Sequence, residues 1–442
     1  MLPIKSIIIK NFILPIADHF MKTDISRSYK EIKRLKKLSK EEISKWQIDK
    51  LKLLLWHAFD HTKYYKQIFI SANLTPNDIN SISDLQKLPI LTKEIIRNNY
   101  QDLIPDNIND IQHIKSSTGG STGTPLMFLL DRKSWSFSNA TNTINWEQAG
   151  YKYGDKFIAL GSTSLFVNKK ASLKHLLYYK LKSKIGLSGI NMSDEICEEY
   201  LSIINNNKVH FLYGYASSIY LLAKYVLKTS GKINIKACFT TSEVLTDQYR
   251  DTIIKAFNCK VLNSYGAHDG GINAYEQQDG FFEVSYNSII NMSNLNSETS
   301  IIPACLTDVL NYAMPLINYQ LGDEYLINQN SNINYAYNGQ VINNVLGRTS
   351  DIIQLENGIT LTGPGFTILF KDIPVEYYCI EKNGINSINC SIKVLPGYNS
   401  EHETLILSTL KKQMGIDSNI SILYSDEVKL APNGKRLYFV TS

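Results

Sequence analysis

Ile235-Lys236-Ala237-Cys238-Phe239-Thr240-Thr241-Ser242-Glu243 reads as an apolar strand running into a polar turn. After a helical stretch, Thr246 to Phe257, the pattern returns as Lys260-Val261-Leu262-Asn263-Ser264-Tyr265-Gly266-Ala267-His268-Asp269. Strand, helix and strand in succession predict a crossover connection, and therefore an α/β fold with mainly parallel sheets. Ligands gather beyond the carboxyl ends of such strands, which makes both polar turns candidate site segments. Upstream lie a helix over Asp194 to Ile204 and an apolar, aromatic run from Val209 to Tyr215 that opens onto a helix over Ser217 to Leu227. Tyr213 and Tyr215 can line a pocket there or pack the core.

A second decisive stretch lies further back. Thr118-Gly119-Gly120-Ser121-Thr122-Gly123-Thr124-Pro125 holds three glycines and four small hydroxyl residues. Glycine permits left-handed backbone and close approach to a ligand, so successive N–H groups can surround an anion. The hydroxyls add donors for phosphate oxygens or groups for an associated metal. No Lys-Ser or Lys-Thr follows the glycines, so this is not the common P-loop. Strand patterning over Ile111 to Lys115 and Leu126 to Leu130 places the loop between regular elements, followed by a helix over residues 134–149.

Composition narrows the class. A chain of 442 residues with 43% hydrophobic and 20% charged residues is expected to fold as more than one unit. Its net charge of +5 is small and reads as evenly spread, which argues against a nucleic-acid partner. The six cysteines lack CxxC spacing and form no zinc pattern with the eight histidines, as expected for reduced thiols in a cytoplasmic protein. The apolar patch from Ile8 to Pro15 is too short to span a membrane and lacks a signal-peptide cleavage pattern, so no integral membrane segment is expected. Residues 21–72 have helical patterning, with Ser39 and Glu42 spaced as a capping box. His57 and His61 sit four apart on that pattern and have no third ligand nearby, which makes them structural.

Downstream, residues 281–286, 300–310 and 334–343 show β patterning. Tyr319-Gln320-Leu321-Gly322-Asp323 reads as part of an acidic turn, and Gly347-Arg348-Thr349-Ser350-Asp351 precedes an apolar run. We set a domain boundary there, giving units at 1–347 and 348–442. The second is a smaller α+β unit closing on the basic turn Asn433-Gly434-Lys435-Arg436.

Taken in order, these motifs resemble those of the adenylate-forming ligases, in particular the short branch containing phenylacetate–CoA ligase and CapK-like capsular polysaccharide proteins. The resemblance runs over roughly residues 40–442. It implies a large ATP- and carboxylate-binding domain and a small mobile lid. It also implies that residues Thr118 to Thr124 form the ATP phosphate loop, with Thr122 and Asp269 placing magnesium. Tyr265 and Gly266 resemble the adenine motif, with Ser242 and Glu243 at the adenine edge or in the acid pocket. Asp323 is similar to the ribose ligand, its carboxylate offering acceptors for two hydroxyls. Arg348 matches a nucleotide contact, Ser350 or Asp351 the hinge, and Lys435 the catalytic lysine of the lid. Most members of the family have glutamate where Asp269 stands, and serine is frequent at Gly119; aspartate keeps the charge with one methylene less reach.

The implied reaction joins a carboxylic acid to AMP from Mg-ATP and passes the acyl group to an acceptor. Candidate acids are a small carboxylic acid, an amino acid or a uronic acid, in a pocket with Tyr213, Tyr215 and His268. The acceptor is open among a coenzyme A thiol, an amine and a sugar hydroxyl. The CapK-like features favour glycan synthesis, with an aryl- or acyl-CoA ligase as the alternative and a nonenzymatic nucleotide-binding protein as a third reading. The resemblance also implies a homodimer.

Overall fold

The computed structural model describes residues 4–118, 126–161, 183–189, 192–231, 233–267, 269–277, 280–292, 301–327, 339–348, 352–354, 360–362, 366, 369–370, 373–384, 386–414, 418–430 and 436–440. Strand Ala237–Thr241 is buried at every position, as a central parallel strand covered on both faces must be. It lies within an eight-stranded sheet ordered Val341–Ile342, Phe282–Val284, Ile272–Glu276, Lys260–Ala267, Ala237–Thr241, Phe211–Tyr215, Phe157–Gly161 and Lys184–Ser188. The last five run parallel, and the first three complete the sheet antiparallel.

Sequence signals set the flanking helices. Thr246 accepts from the Tyr249 N–H at 3.2 Å and starts helix Asp247–Phe257, which ends at Asn258 in the left-handed region. Ser39 and Glu42 form the expected capping box at the head of Lys40–His61. One face of the large sheet packs Leu212, Cys238 and Val261 under the helices Asp194–Asn207, Ala216–Thr229 and Asp247–Phe257. The other face is aromatic, with Trp146 stacked on Phe239 at 4.7 Å.

The α/β class holds, but parallel pairing is concentrated in this sheet. Ser288–Ile290, Ile301–Asp308, Tyr319–Leu326 and Asn344–Arg348 form an antiparallel sheet. The acidic turn expected over 311–323 is therefore replaced, from Tyr319 onward, by an eight-residue strand. Alternation of buried Tyr319, Leu321, Asp323 and Tyr325 with half-exposed neighbours explains it. The expected boundary at 347/348 falls at the end of the Asn344–Arg348 strand.

Beyond it, strands Asn419–Tyr424, Ser387–Val394, Val375–Lys382 and Phe439–Val440 form a mixed sheet. That sheet shares a separate apolar core with helix Ser400–Met414. It meets the main body through a polar clamp. Buried Arg436 hydrogen-bonds the Tyr249 hydroxyl and lies 5.3 Å from that ring and 5.8 Å from the Tyr377 ring. Tyr249 donates to the Glu376 carbonyl at 3.3 Å, and Lys224 reaches the Glu376 carboxylate at 3.1 Å.

Candidate active site

The glycine-rich stretch is the connection of a β-hairpin formed by His113–Ser117 and Met127–Asp131. Both strands lie one or two residues later than expected. Thr118 closes the neck of the loop: its N–H donates to the Leu126 carbonyl at 3.0 Å, and its Oγ1 accepts from the Leu126 N–H at 2.9 Å. That hydroxyl therefore holds the hairpin together. Gly119, Gly120, Ser121, Thr122, Gly123 and Thr124 lie outside the described residues.

Tyr265 and Asp323, 58 residues apart, meet directly: the Tyr265 hydroxyl donates to Asp323 Oδ2. The Tyr325 hydroxyl donates in turn to Tyr265 at 3.1 Å. Burial, with the Asp323 carboxylate beside it, holds the Tyr265 phenol well above the usual tyrosine range. Asp323 reaches this position through a bulge. Pairing slips from Pro303–Glu324 to Cys305–Gln320, and Gly322 takes a φ of +96°. A bulge re-aims a side chain in this way. On its other side Asp323 is the register partner of Arg348. Of Arg348, the strand placement is described; His268, Ser350, Asp351 and Lys435 lie outside the described residues.

Strand Lys260–Ala267, which includes Gly266 opposite Asn273, leads into the turn carrying Asp269. This carboxylate is buried and accepts the Tyr319 hydroxyl at 2.8 Å on Oδ2. Tyr325 lies in the field of both Asp323 and Asp269, which together with burial keeps its phenol protonated. One strand of each sheet thus supplies a tyrosine to the carboxylate of the other motif: Tyr265 to Asp323 and Tyr319 to Asp269. Magnesium typically takes one or two protein carboxylates and keeps water or phosphate for the rest. Asp269, with one oxygen engaged by Tyr319, fits that use, and no cluster of three or more metal-ligating side chains occurs among the described residues.

On the parallel side, Ser242 has a φ of +67°, which turns the chain after strand Ala237–Thr241. Glu243 Oε2 then accepts the Ser217 N–H at 2.8 Å, at the positive end of helix Ala216–Thr229. Its Oε1 is buried without a hydrogen-bond partner. Tyr215 is fully buried at the head of that helix. Tyr213 sits 5.0 Å from Trp146, and burial pushes its phenol up to about 12. Tyr215 packs in the core, and half-buried Tyr213 packs against the edge of the aromatic cluster. His57 and His61 are structural as expected, on the Tyr312 carbonyl at 3.0 Å and on Asp106 at 2.8 Å.

A support not legible in the sequence lies beneath the Asp269 turn. Asp308 is buried and accepts from Ser134 Oγ, from Asn287 Nδ2 at 3.0 Å and from the Leu310 N–H at 3.0 Å. Burial outweighs these donors and pushes its carboxyl up to about 6. The Gly271 carbonyl accepts from Ser288 Oγ at 2.8 Å and Asn287 Nδ2 at 3.3 Å. A side chain at Gly271, whose φ is +64°, would come within 2.3 Å of Asp308. Ser134, Asn287 and Asp308 belong to no local motif, so spacing alone gives no signal for the group.

The fold is that of the adenylate-forming CoA ligases. 2-Hydroxyisobutyryl-CoA ligase, in the postadenylation state in complex with R3-HIB-AMP, superposes with a TM-score of 0.65 at 14% identity, covering 92% of this chain and 91% of that one. In sequence, the chain is similar along its whole length to Protein CapK of Staphylococcus aureus: 25% identical over 446 residues, 99% of this chain and 97% of the relative. It is also 23% identical over 237 residues to the phenylacetate-coenzyme A ligase of Pseudomonas putida, spanning about half of each chain (52% and 51%). No family model matches the chain.

Proposed function

We propose that this protein is an ATP-dependent, AMP-forming ligase. It activates a carboxylic acid as an acyl-adenylate and transfers the acyl group in the assembly of a bacterial surface polysaccharide. The observation that carries the reading is the convergence of Tyr265, Asp323 and the Arg348 strand on a fold shared with adenylate-forming ligases. Asp323 would accept the ribose hydroxyls, and the Tyr265 ring would pack on adenine while its hydroxyl orients Asp323. Ser242 and Glu243 would border the base. Residues Thr118 to Thr124 would surround the phosphates, and Arg348 and Lys435 would offset charge on the reacting carboxylate and α-phosphate. Magnesium, held by Asp269 and Thr122, would supply charge neutralisation on the phosphate oxygens. The acid is already ionised at neutral pH and needs no general base.

The whole-length similarity to CapK supports the glycan setting. The second reading, an acyl-CoA ligase, is supported by the CoA ligase fold and the phenylacetate-coenzyme A ligase similarity. Acid-dependent ATP–pyrophosphate exchange over a panel of carboxylic, amino and uronic acids tests the ligase reading, and its absence with folded protein and Mg-ATP would refute it. AMP release that requires free coenzyme A would select the CoA ligase.

A further inference from the structure

The N-terminal segment folds as a continuous helical rod: α-helix Ile4–Ile8, a π-helical turn Ile9–Ile13 and α-helix Leu14–Met21. One side holds it to the body. Ile9 and Leu14 are buried, and Ile13, Ala17 and Met21 pack on the core that includes Ile25, Ile32, Phe137 and Tyr153. Its opposite side is also apolar. Ile8, Phe12, Ile16 and Phe20 stand at four-residue intervals with exposures of 44%, 64%, 58% and 69%. The wider π turn takes up the drift that four-residue spacing accumulates on an α-helix, which lines these side chains along the rod. A helix that is apolar on both sides is expected to be covered on both.

The charge around the rod indicates what covers it. Residues 1–40 contain ten Lys and Arg (Lys5, Lys10, Lys22, Arg27, Lys30, Lys33, Arg34, Lys36, Lys37, Lys40) against Asp18, Asp24 and Glu31, a net of +7. The whole chain carries +5, so the other 402 residues carry −2. This corrects the even spread expected from composition. Lys5 and Lys22 on the rod, Arg27, Lys30, Lys33 and Arg34 on helix Ile25–Leu35 beside it, and Lys37 and Lys40 just after that helix are exposed. Of the acidic groups nearby, Asp18 is buried on Thr23 and the Ser26 N–H, Glu147 is shared by Lys10 and Lys33, and Asp24 stands by Arg27, so bases outnumber acids on this face. An exposed apolar face with a dense basic surround suits an anionic lipid surface. A symmetric pairing of two copies through this face would bring two such basic regions together. No helix among the described residues is long and apolar enough to cross a membrane.

We infer that the rod docks the protein peripherally on an anionic bilayer, with Ile8, Phe12, Ile16 and Phe20 entering the headgroup boundary. Co-sedimentation of the full chain with vesicles tests this. Binding is expected to phosphatidylcholine–phosphatidylglycerol vesicles, to weaken at high salt, and to be poor on phosphatidylcholine alone. F12S/I16S/F20S and, separately, K30E/R34E/K37E each lower it by about tenfold or more. These positions are exposed, and an unchanged circular dichroism melt shows that the variants fold. Wild-type binding no stronger to anionic than to neutral vesicles would overturn the inference. So would binding indifferent to both variants, or a dimer abolished by F12S/I16S/F20S without vesicle binding.

Discussion

At the scale of single residues, burial pushes the Asp308 carboxyl above the ordinary aspartate range. Its folded value of about 6 lies above the ordinary aspartate value of 3.8. The native protein therefore binds this proton more tightly than the unfolded chain, and the group's contribution to stability falls as pH rises from about 4 to about 6. Asp308→Asn keeps acceptors for Asn287 and Leu310 and removes the titration. The difference in unfolding free energy between mutant and wild type, followed by urea unfolding across that window, is expected to change by roughly 2–3 kcal/mol in favour of the mutant. A parallel pH dependence in both proteins would exclude Asp308. For the proposed ligase, Lys435→Ala is expected to bind ATP nearly as well as wild type while losing pyrophosphate exchange by about two to three orders of magnitude. Unchanged exchange would remove Lys435 from the mechanism.

At the scale of elements, the large sheet depends on close backbone approach at Gly214. A Cβ there would stand 2.0 Å from the Leu160 carbonyl oxygen of the neighbouring parallel strand. Backbone cannot yield as a side-chain tip does. Gly214→Ala is therefore expected to cost more than about 3 kcal/mol, seen as a lowered denaturation midpoint; a loss below about 1 kcal/mol would show that the strands can part. Elements whose periodicity and caps agree are legible in the sequence: Thr246 precedes the helix after strand Ala237–Thr241, and Ser39 and Glu42 complete the box of helix Lys40–His61. Strand Tyr319–Leu326 was not, because Asn318, Gly322 and Asp323 imitate a turn. The chain instead absorbs Gly322 as a bulge, and that bulge delivers Asp323 to Tyr265. The motif order pointed to these partners, while the tyrosine hydroxyls binding both carboxylates depend on cross-strand register that spacing does not encode. In the N-terminal rod, apolar residues on both sides of the helix (Ile8, Ile9, Phe12, Ile13, Leu14 and Ile16) hide its period, so the sequence shows only a short apolar patch.

At the scale of the whole molecule, the clamp around Arg436 joins the C-terminal sheet to helices Ala216–Thr229 and Asp247–Phe257. Arg436 and Tyr249 also lie in the field of Glu243, so the clamp adjoins the polar turn after strand Ala237–Thr241. Arg436→Met removes a charge-assisted hydrogen bond worth about 1.5–3 kcal/mol. Limited proteolysis is expected to release a C-terminal fragment about tenfold faster or more, and an unchanged rate would mean that the apolar contacts suffice.

The clamp's partners come from both sides of the chain: Lys224 and Tyr249 from one, Glu376 and Arg436 from the other. Glu376 is buried, and Lys393 of its own sheet stands 3.7 Å away. A C-terminal segment grafted onto a related body would thus carry an acid and a guanidinium whose matching amine and phenol stay behind. The unit of exchange for recombination is the segment together with positions 224 and 249, and cutting the sequence at a loop alone separates what the fold has made interdependent.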